Sequence, residues 1–453
     1  MTQHSLLKKL FSFIIVLTGI PSLHAQNLLE TYELALENDP VLKQALANQF
    51  ATDELKDQSI ARFLPNISAT ATSGRNRLHN KKAKNAQFSD FRGLQVNQEY
   101  WNHTFSLDLA QPLFHWDHWI QLSQSDNQIA QAEASYQAEL QNLMVRTTEA
   151  YFNILSAEDN LEFTRAEKTA IARQLEQAKQ RFEVGLIAIT DVHEAQAAFD
   201  QASASEIEAV NNLDNQKEAL REIIGDNEAL LDSLDEKLPL AQPEPMDIAA
   251  WSNSAEINNF NIISAVNEAE VFRKSIDLQR NGHMPQLDLV ASYGVSDDNS
   301  SFGLRGDMQS VGVQLNVPLF EGGAVNSRTR QAGYEYEAAK ERLTAVKRSV
   351  KRQVKDAFRG VMSSISRVKA LKATIISAES ALEATEAGLE VGTRTMVEVL
   401  AEQRNLYRVK RDYARSRYDY LINGIRLKQA ASNLAIEDLE QINQLLMTDA
   451  GKN

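Results

Sequence analysis

Two hydrophobic periods alternate along this chain. From His115 to Val184 there is neither glycine nor proline. A helix over that run, ~70 residues at 1.5 Å each, is on the order of 100 Å long. A second such run extends from about Ser327 to Glu390. There Leu343, Val346, Val350, Val354, Phe358, Val361, Ile365, Val368 and Leu371 step by three or four. That spacing makes a narrow apolar seam of the coiled-coil kind. Gly360 and Gly388 interrupt its composition without shifting it. Shorter helices are predicted over about Asp191 to Ile224 and Val397 to Leu434, and opening helices over about Leu28 to Arg62 and Asp247 to Arg280. Elsewhere the period drops to two. Thr104 to Leu109 and Val311 to Val317 alternate polar and apolar, and Ile67 to Thr72 and Leu287 to Tyr293 do so less cleanly. These segments predict strands with one apolar face. Polar loops join them: Arg75 to Asn97, with the cluster Lys81-Lys82-Lys84, and Asp297 to Gln309.

The same order of elements is met twice. Val184-Gly185-Leu186-Ile187-Ala188-Ile189-Thr190-Asp191-Val192 returns as Val391-Gly392-Thr393-Arg394-Thr395-Met396-Val397-Glu398-Val399, at a constant offset of 207. Pro112-Leu113-Phe114 returns as Pro318-Leu319-Phe320, and Pro65 returns as Pro285. Landmarks recurring in one order mark an internal repeat. Five segments follow: a signal segment at 1–25, a first repeat at 26–237, a proline-rich linker at 238–246, a second repeat at 247–437 and a tail at 438–453.

Residues 1–25 read as a secretory signal. Lys8 and Lys9 precede the apolar run Leu10 to Ile20, and Ala25 offers a small residue for cleavage. The formal charge of −14 falls to −16 once those lysines are removed. An acidic exterior argues against general nucleic-acid binding. There is no cysteine, so disulfides, thiol chemistry and an N-terminal lipidated cysteine are excluded. No later stretch approaches 18 consecutive apolar residues, the length that marks a membrane-spanning helix. An exported chain of this kind crosses a membrane only with strands, and four strands cannot close a barrel alone. The strands are either water-soluble or pooled among several chains.

From about Asn27 to Leu446 the chain resembles the TolC family of outer-membrane efflux channels. The most specific pieces are the two Val-Gly turns quoted above. Pro318-Leu319-Phe320-Glu321-Gly322-Gly323 and Tyr418-Asp419-Tyr420-Leu421-Ile422-Asn423 add weaker support in the right order. The resemblance implies a mainly helical homotrimer. Each chain would lend four strands to a twelve-stranded outer-membrane barrel and long helices to a periplasmic tube. Aromatic residues should flank the lipid band, and Tyr100, Trp101, Phe114, Trp116, Trp119 and Phe320 sit at strand ends; for Trp116 and Trp119, plain packing where strand meets helix is an equal account. The implied function is the exit duct of a tripartite efflux or type I secretion system, passing drugs, small molecules or proteins. The implied partners are a periplasmic adaptor (membrane fusion) protein, an inner-membrane pump or ABC exporter, and outer-membrane lipid. No nucleic acid, cofactor or enzymatic activity is expected.

By the same resemblance, the turns form the periplasmic end of the tube. Gly185, Leu186, Gly392 and Thr393 fall at adaptor-contact positions. Thr190 and Asp191 match the acceptors of a closed-state latch, and Arg394 matches its donor. Glu398 matches an acidic ring at the entrance. Two departures stand out: the family's latch tyrosine is Leu389 here, and its second acidic ring position is Ala401. Read without the resemblance, the turns are capped helical hairpins, glycine ending one helix and Thr, Asp or Glu opening the next.

The remaining candidates are weaker. His115-Trp116-Asp117-His118 holds two imidazoles and a carboxylate, but His-x-x-His is a poor metal signal, and the expectation is no metal. The basic run Lys347 to Lys355 keeps the helical seam and reads as a solvated face. No nucleophile elbow, phosphate loop or dinucleotide fingerprint is present. The rival architecture is a periplasmic coiled-coil adaptor or scaffold without a barrel.

Overall fold

A computed structural model describes residues 26–79, 97–227, 230–235, 237–299 and 305–447. The signal segment, the lysine cluster at 81–84 and the end of the tail lie outside the described residues. The elements run α1 (Leu28–Asn38), α2 (Pro40–Ala61), β1 (Asn66–His79), β2 (Asn97–Phe114), α3 (Trp116–Glu183) and α4 (Ile189–Ile224). They continue β3 (Ser233–Leu234), α5 (Ile248–Asn258), α6 (Phe260–Arg280), β4 (Gln286–Asp298), β5 (Arg305–Asn316), α7 (Ala324–Glu390), α8 (Met396–Ala430), α9 (Ile436–Asn443) and β6 (Leu446–Met447).

The two rods, α3 and α7, are single helices of 68 and 67 residues. Along α7 the predicted seam is the buried one: Val350, Val354, Val361, Ile365 and Val368 are buried. α3 is different. Between Gln141 and Ala157 it is buried on nearly every side, with Tyr151 and Phe152 fully enclosed. There it runs through the main core, with α1, α4, α8 and α9 around it. Gly360 does not break its helix. A Cβ there would sit 3.4 Å from the Asn423 side chain, so the glycine lets α8 approach.

Two expectations are corrected. Each opening helix is two helices, because a polar residue ends one and caps the next. Asp39 accepts from the Leu42 N–H at 2.7 Å and precedes Pro40 at the first helical position. Asn259 accepts from the Asn261 N–H and gives its amide to the Ala430 carbonyl. The Asp-Pro pair is a helix-start signal that a periodicity reading overrides. The strands are longer than the alternating segments, reaching 18 residues in β2, because polar residues of the presumed loops continue the ladder. In the tail, α9 buries Leu439 and Ile442, and β6 pairs with β3. The linker is held by Tyr420, whose hydroxyl donates to the Ala241 carbonyl and accepts from its N–H.

The four long strands form one antiparallel sheet, ordered β1-β2-β4-β5. Its register segregates the faces. Ile67, Leu109, Ala291 and Val311 lie in one cross-strand row, and Ser68, Asp108, Ser292 and Ser310 in the next. Side chains alternate faces along a strand, so a one-residue slip would exchange the rows. The apolar column on β4 runs from Leu287 to Val295. At ~3.4 Å per residue that is about 27 Å along the strand, or about 20 Å of height at a ~40° tilt, near the ~25 Å of a barrel's lipid band. Arg75–Glu99 (2.6 Å) and Arg305–Asp297 (3.0 Å) ion pairs lie beyond the apolar rows. No helix among the described residues is long and apolar enough to cross a membrane.

Candidate functional site: the helical-hairpin tips

Both long helices end in the same backbone device. Gly185 has φ +78° and Gly392 φ +80°, the left-handed region that glycine enters without a Cβ penalty. Around the first, the Gly185 N–H donates to the Phe182 carbonyl and the Leu186 N–H to the Arg181 carbonyl, each at 2.9 Å. Around the second, Gly392 donates to Leu389 at 3.3 Å and Thr393 to Gly388 at 2.8 Å. These are the two paired bonds of a Schellman turn. The apices are bare: Val184, Leu186 and Val391 are each at least 70% exposed.

Beneath the apices the hairpins pack on each other. Ile171, Leu175 and Ala178 of α3, Ala195, Ala198 and Ala202 of α4, and Met396 and Leu400 of α8 share one cluster. The alanines fall on one face of α4 at helical spacing, which lets the helices approach closely. Leu389 packs against this cluster.

The turns differ in how the next helix begins. In the second, Thr395 and Glu398 form a capping box: the Thr395 hydroxyl accepts from the Glu398 N–H, and the Glu398 carboxylate accepts from the Thr395 N–H at 2.8 Å. Arg394 Nη1 also donates to Glu398 Oε1 at 2.7 Å. The Thr395 N–H, then the Arg394 guanidinium and the Thr395 hydroxyl, hold the Glu398 carboxyl below its ordinary value. In the first turn the N-cap is Ala188, which offers no side-chain cap. Asp191, at the position matching Glu398, makes no side-chain hydrogen bond or ion pair among the described residues, and neither does Thr190. One acid is committed to its own helix; the other is uncommitted.

The expected pairing of Arg394 with Thr190 and Asp191 is not made within one chain, where the guanidinium takes Glu398. A residue passed over in the sequence also shapes this tip. Gly388 accepts from the Thr393 and Arg394 N–H groups and the Thr393 hydroxyl through its carbonyl. A Cβ on Gly388 would lie 2.6 Å from Arg394 Cγ and 3.2 Å from its Cβ. The Arg394 stem therefore lies where a side chain on Gly388 would stand. The signal was readable: the matching residue in the first turn is Arg181, and only the turn carrying Arg394 has glycine.

A family profile described as "Outer membrane efflux protein" matches residues 31–226 and 251–433. The chain belongs to the outer membrane efflux protein family. It is 40% identical over 424 residues to "Outer membrane protein TolC" of Vibrio cholerae, covering 92% of this chain and 93% of the relative. It is 30% identical to "Alkaline protease secretion protein AprF" of Pseudomonas aeruginosa, over 98% of this chain and 92% of that one. Among solved structures, the Campylobacter jejuni CmeC outer membrane channel superposes with a TM-score of 0.78 at 15% identity, covering 93% of this chain and 90% of that one. As a member of this family the protein resides in the outer membrane, with a helical periplasmic part. The Leu389 side chain, which packs against the apolar cluster below the tip, carries no hydroxyl.

Proposed function

We infer that this protein is the exit duct of a tripartite efflux or type I secretion system, working as a homotrimer. It passes drugs, small molecules or proteins from an inner-membrane pump or ABC exporter to the outside and performs no chemistry itself. The observation that carries the reading is the sheet. It has an apolar face and a polar face, and among the described residues β1 and β5 each leave an edge unpaired within the chain. Unpaired strand edges have no place in lipid. Joining the β5 edge of one copy to the β1 edge of the next satisfies both, and three copies give twelve strands, an even number suited to a barrel. Val311, Val313 and Leu315 of β5, all on the apolar face, are each more than 60% exposed in the single chain. A water-soluble periplasmic scaffold has no use for such a surface. The internal repeat supports the same reading, since both halves supply a strand pair and a hairpin of comparable length.

The tips are the proposed adaptor-docking end, through Gly185, Leu186, Gly392 and Thr393, and the proposed gate. Asp191 and Thr190 of one hairpin are free to receive Arg394 from a neighbouring chain, and a guanidinium–carboxylate bond is directional enough to hold a closed state. Glu398, repeated three times around the axis, makes a cation-favouring ring. Cell fractionation with gel analysis tests the whole reading. A detergent-extracted, heat-modifiable trimer in the outer membrane that forms channels in planar bilayers is expected. A soluble periplasmic monomer overturns it.

A further inference from the structure

The junction between barrel strand and rod holds an arrangement that duct function does not use. β2 carries a bulge at Pro112–Phe114, where Pro112 pairs with Asp288 and Phe114 with Leu287. The bulge redirects the strand end, and the next residue, His115, turns back to β4: its Nε2 lies 3.0 Å from Asp288 Oδ1. That bond fixes the tautomer. With the Nε2 proton given to Asp288, the lone pair of His115 is on Nδ1, which faces Asp117 Oδ1 at 3.8 Å. The first turn of α3 then brings His118 beneath His115, the rings stacked with centroids 4.6 Å apart. Donor atoms of His115, Asp117 and His118 all lie within 4.8 Å of one another. The two histidine side chains are 13% exposed and Asp117 20%.

Two of these donors lack partners. Asp117 Oδ1 and His118 Nδ1 are buried, and neither makes a hydrogen bond among the described residues. Buried polar atoms are almost always satisfied, so two orphans side by side call for a missing partner. The pair is an acceptor oxygen beside a ring nitrogen, with a second imidazole lone pair 3.8 Å away. Donors bound to zinc at ~2.0–2.1 Å in a tetrahedron stand about 3.4 Å apart, so an ion would draw the three donors together from separations of up to 4.8 Å. Two imidazoles and one carboxylate suit Zn2+ and its borderline neighbours Co2+ and Ni2+ rather than Ca2+ or Mg2+. Asp288 occupies the place of the carboxylate that orients a ligating histidine from behind.

We propose that His115, Asp117 and His118 form a zinc-class metal site, oriented by Asp288, that ties the end of β2 and the start of α3 to β4. The sequence alone gave no reason to expect it, because His-x-x-His is common and Asp288 is 173 residues away from His115. The ion would be a structural rivet at the level where barrel becomes tube, independent of the cargo and of the tips.

The test uses the full-length, detergent-purified trimer stripped with chelator. Titration with Co2+ alone should give one ion per chain, an intense visible spectrum of near-tetrahedral type, and displacement by Zn2+. His118→Gln and Asp117→Asn should each abolish the spectrum. Asp288→Asn should weaken binding roughly 10- to 100-fold, as for an orienting carboxylate. Trimer yield on unheated gels separates lost binding from lost folding, and Asp117→Asn, nearly isosteric, serves if His118→Gln does not assemble. Absence of stoichiometric binding at micromolar metal, or a spectrum unchanged in Asp117→Asn, overturns the proposal.

Discussion

Arg394, in the turn just before the N-cap of α8, reaches Glu398 in that helix's first turn, Nη1 to Oε1 at 2.7 Å, while that carboxylate also caps the helix through Thr395. The proposed latch donor therefore already has an anionic partner in its own chain. Any closed state in which it meets Asp191 of a neighbour is a competition between two carboxylates for one guanidinium. Arg394→Ser should raise single-channel conductance and sensitise cells to large antibiotics, with Asp191→Ala adding little, because Leu389 supplies no hydroxyl to hold the closed state. Unchanged conductance in the double variant, inserted at normal levels, returns Arg394 to the role of a helix-capping residue.

Gly388→Ala should act on the same gate from outside it. Alanine favours the helix by up to about 1 kcal/mol over glycine, but its Cβ would press on the Arg394 stem at 2.6 Å. Conductance is expected to move towards that of Arg394→Ser while trimer abundance stays normal. A wild-type conductance shows that Arg394 works equally well from a displaced position.

The tip should be insensitive to mild acid. The Glu398 carboxyl is held below its ordinary value in the folded chain. A group lowered on folding contributes stability above its unfolded value and loses it as pH falls through the folded one. The protection of the amides at 396–399, measured against the intrinsic exchange rate at each pH, should thus stay constant from neutral pH to the ordinary glutamate range near ~4.3 and fall only below it. Glu398→Gln should remove that dependence, and in bilayers it should weaken block by multivalent cations. A protection factor that already falls between pH 7 and 5 contradicts this assignment.

Farther up the tube, Asp39 is 2% exposed and accepts both guanidinium nitrogens of Arg146 at 3.1 Å. It also caps α2. Asp39→Ala should cost about 2 to 4 kcal/mol, less than a fully buried pair because Arg146 is a third exposed. Asp39→Asn keeps the cap and should cost less. Thermal dissociation of the trimer ranks the two, and equal losses would mean that the charge pair with Arg146 alone matters.

Substitutions in the sheet should divide by face. Leu107→Arg or Val313→Arg, on the apolar face, should cost about 2 to 4 kcal/mol near the bilayer midplane and deplete the heat-modifiable trimer. Ser292→Arg, one row away on the polar face, should assemble and alter conductance instead. Equal assembly of both classes contradicts the assignment of faces.

The long helices, the two turns and the strand segments were legible because each rests on local chemistry. An unbroken run without glycine or proline has no local reason to stop before Val184. A Val-Gly pair ends a helix wherever it stands, and Thr395 with Glu398 spells a capping box. What escaped the periodicity reading was also local in part: Asp39-Pro40 and Asn259 split the opening helices through caps that hydrophobic spacing does not record.

Other features depended on distance through space. That Leu389 belongs to a core and that Gly360 admits Asn423 follow only when two helices are laid side by side. The strands extended beyond their alternating segments because a ladder, once begun, satisfies the backbone of polar residues as readily as of apolar ones. His115 meets Asp288 only because a bulge in one repeat turns its chain end towards a strand of the other. By itself the sequence determined the elements, their order and the chemistry at each turn, since these arise within a few residues. Tertiary structure alone decided which side chains meet across elements, and so which carboxylate is committed and which is free.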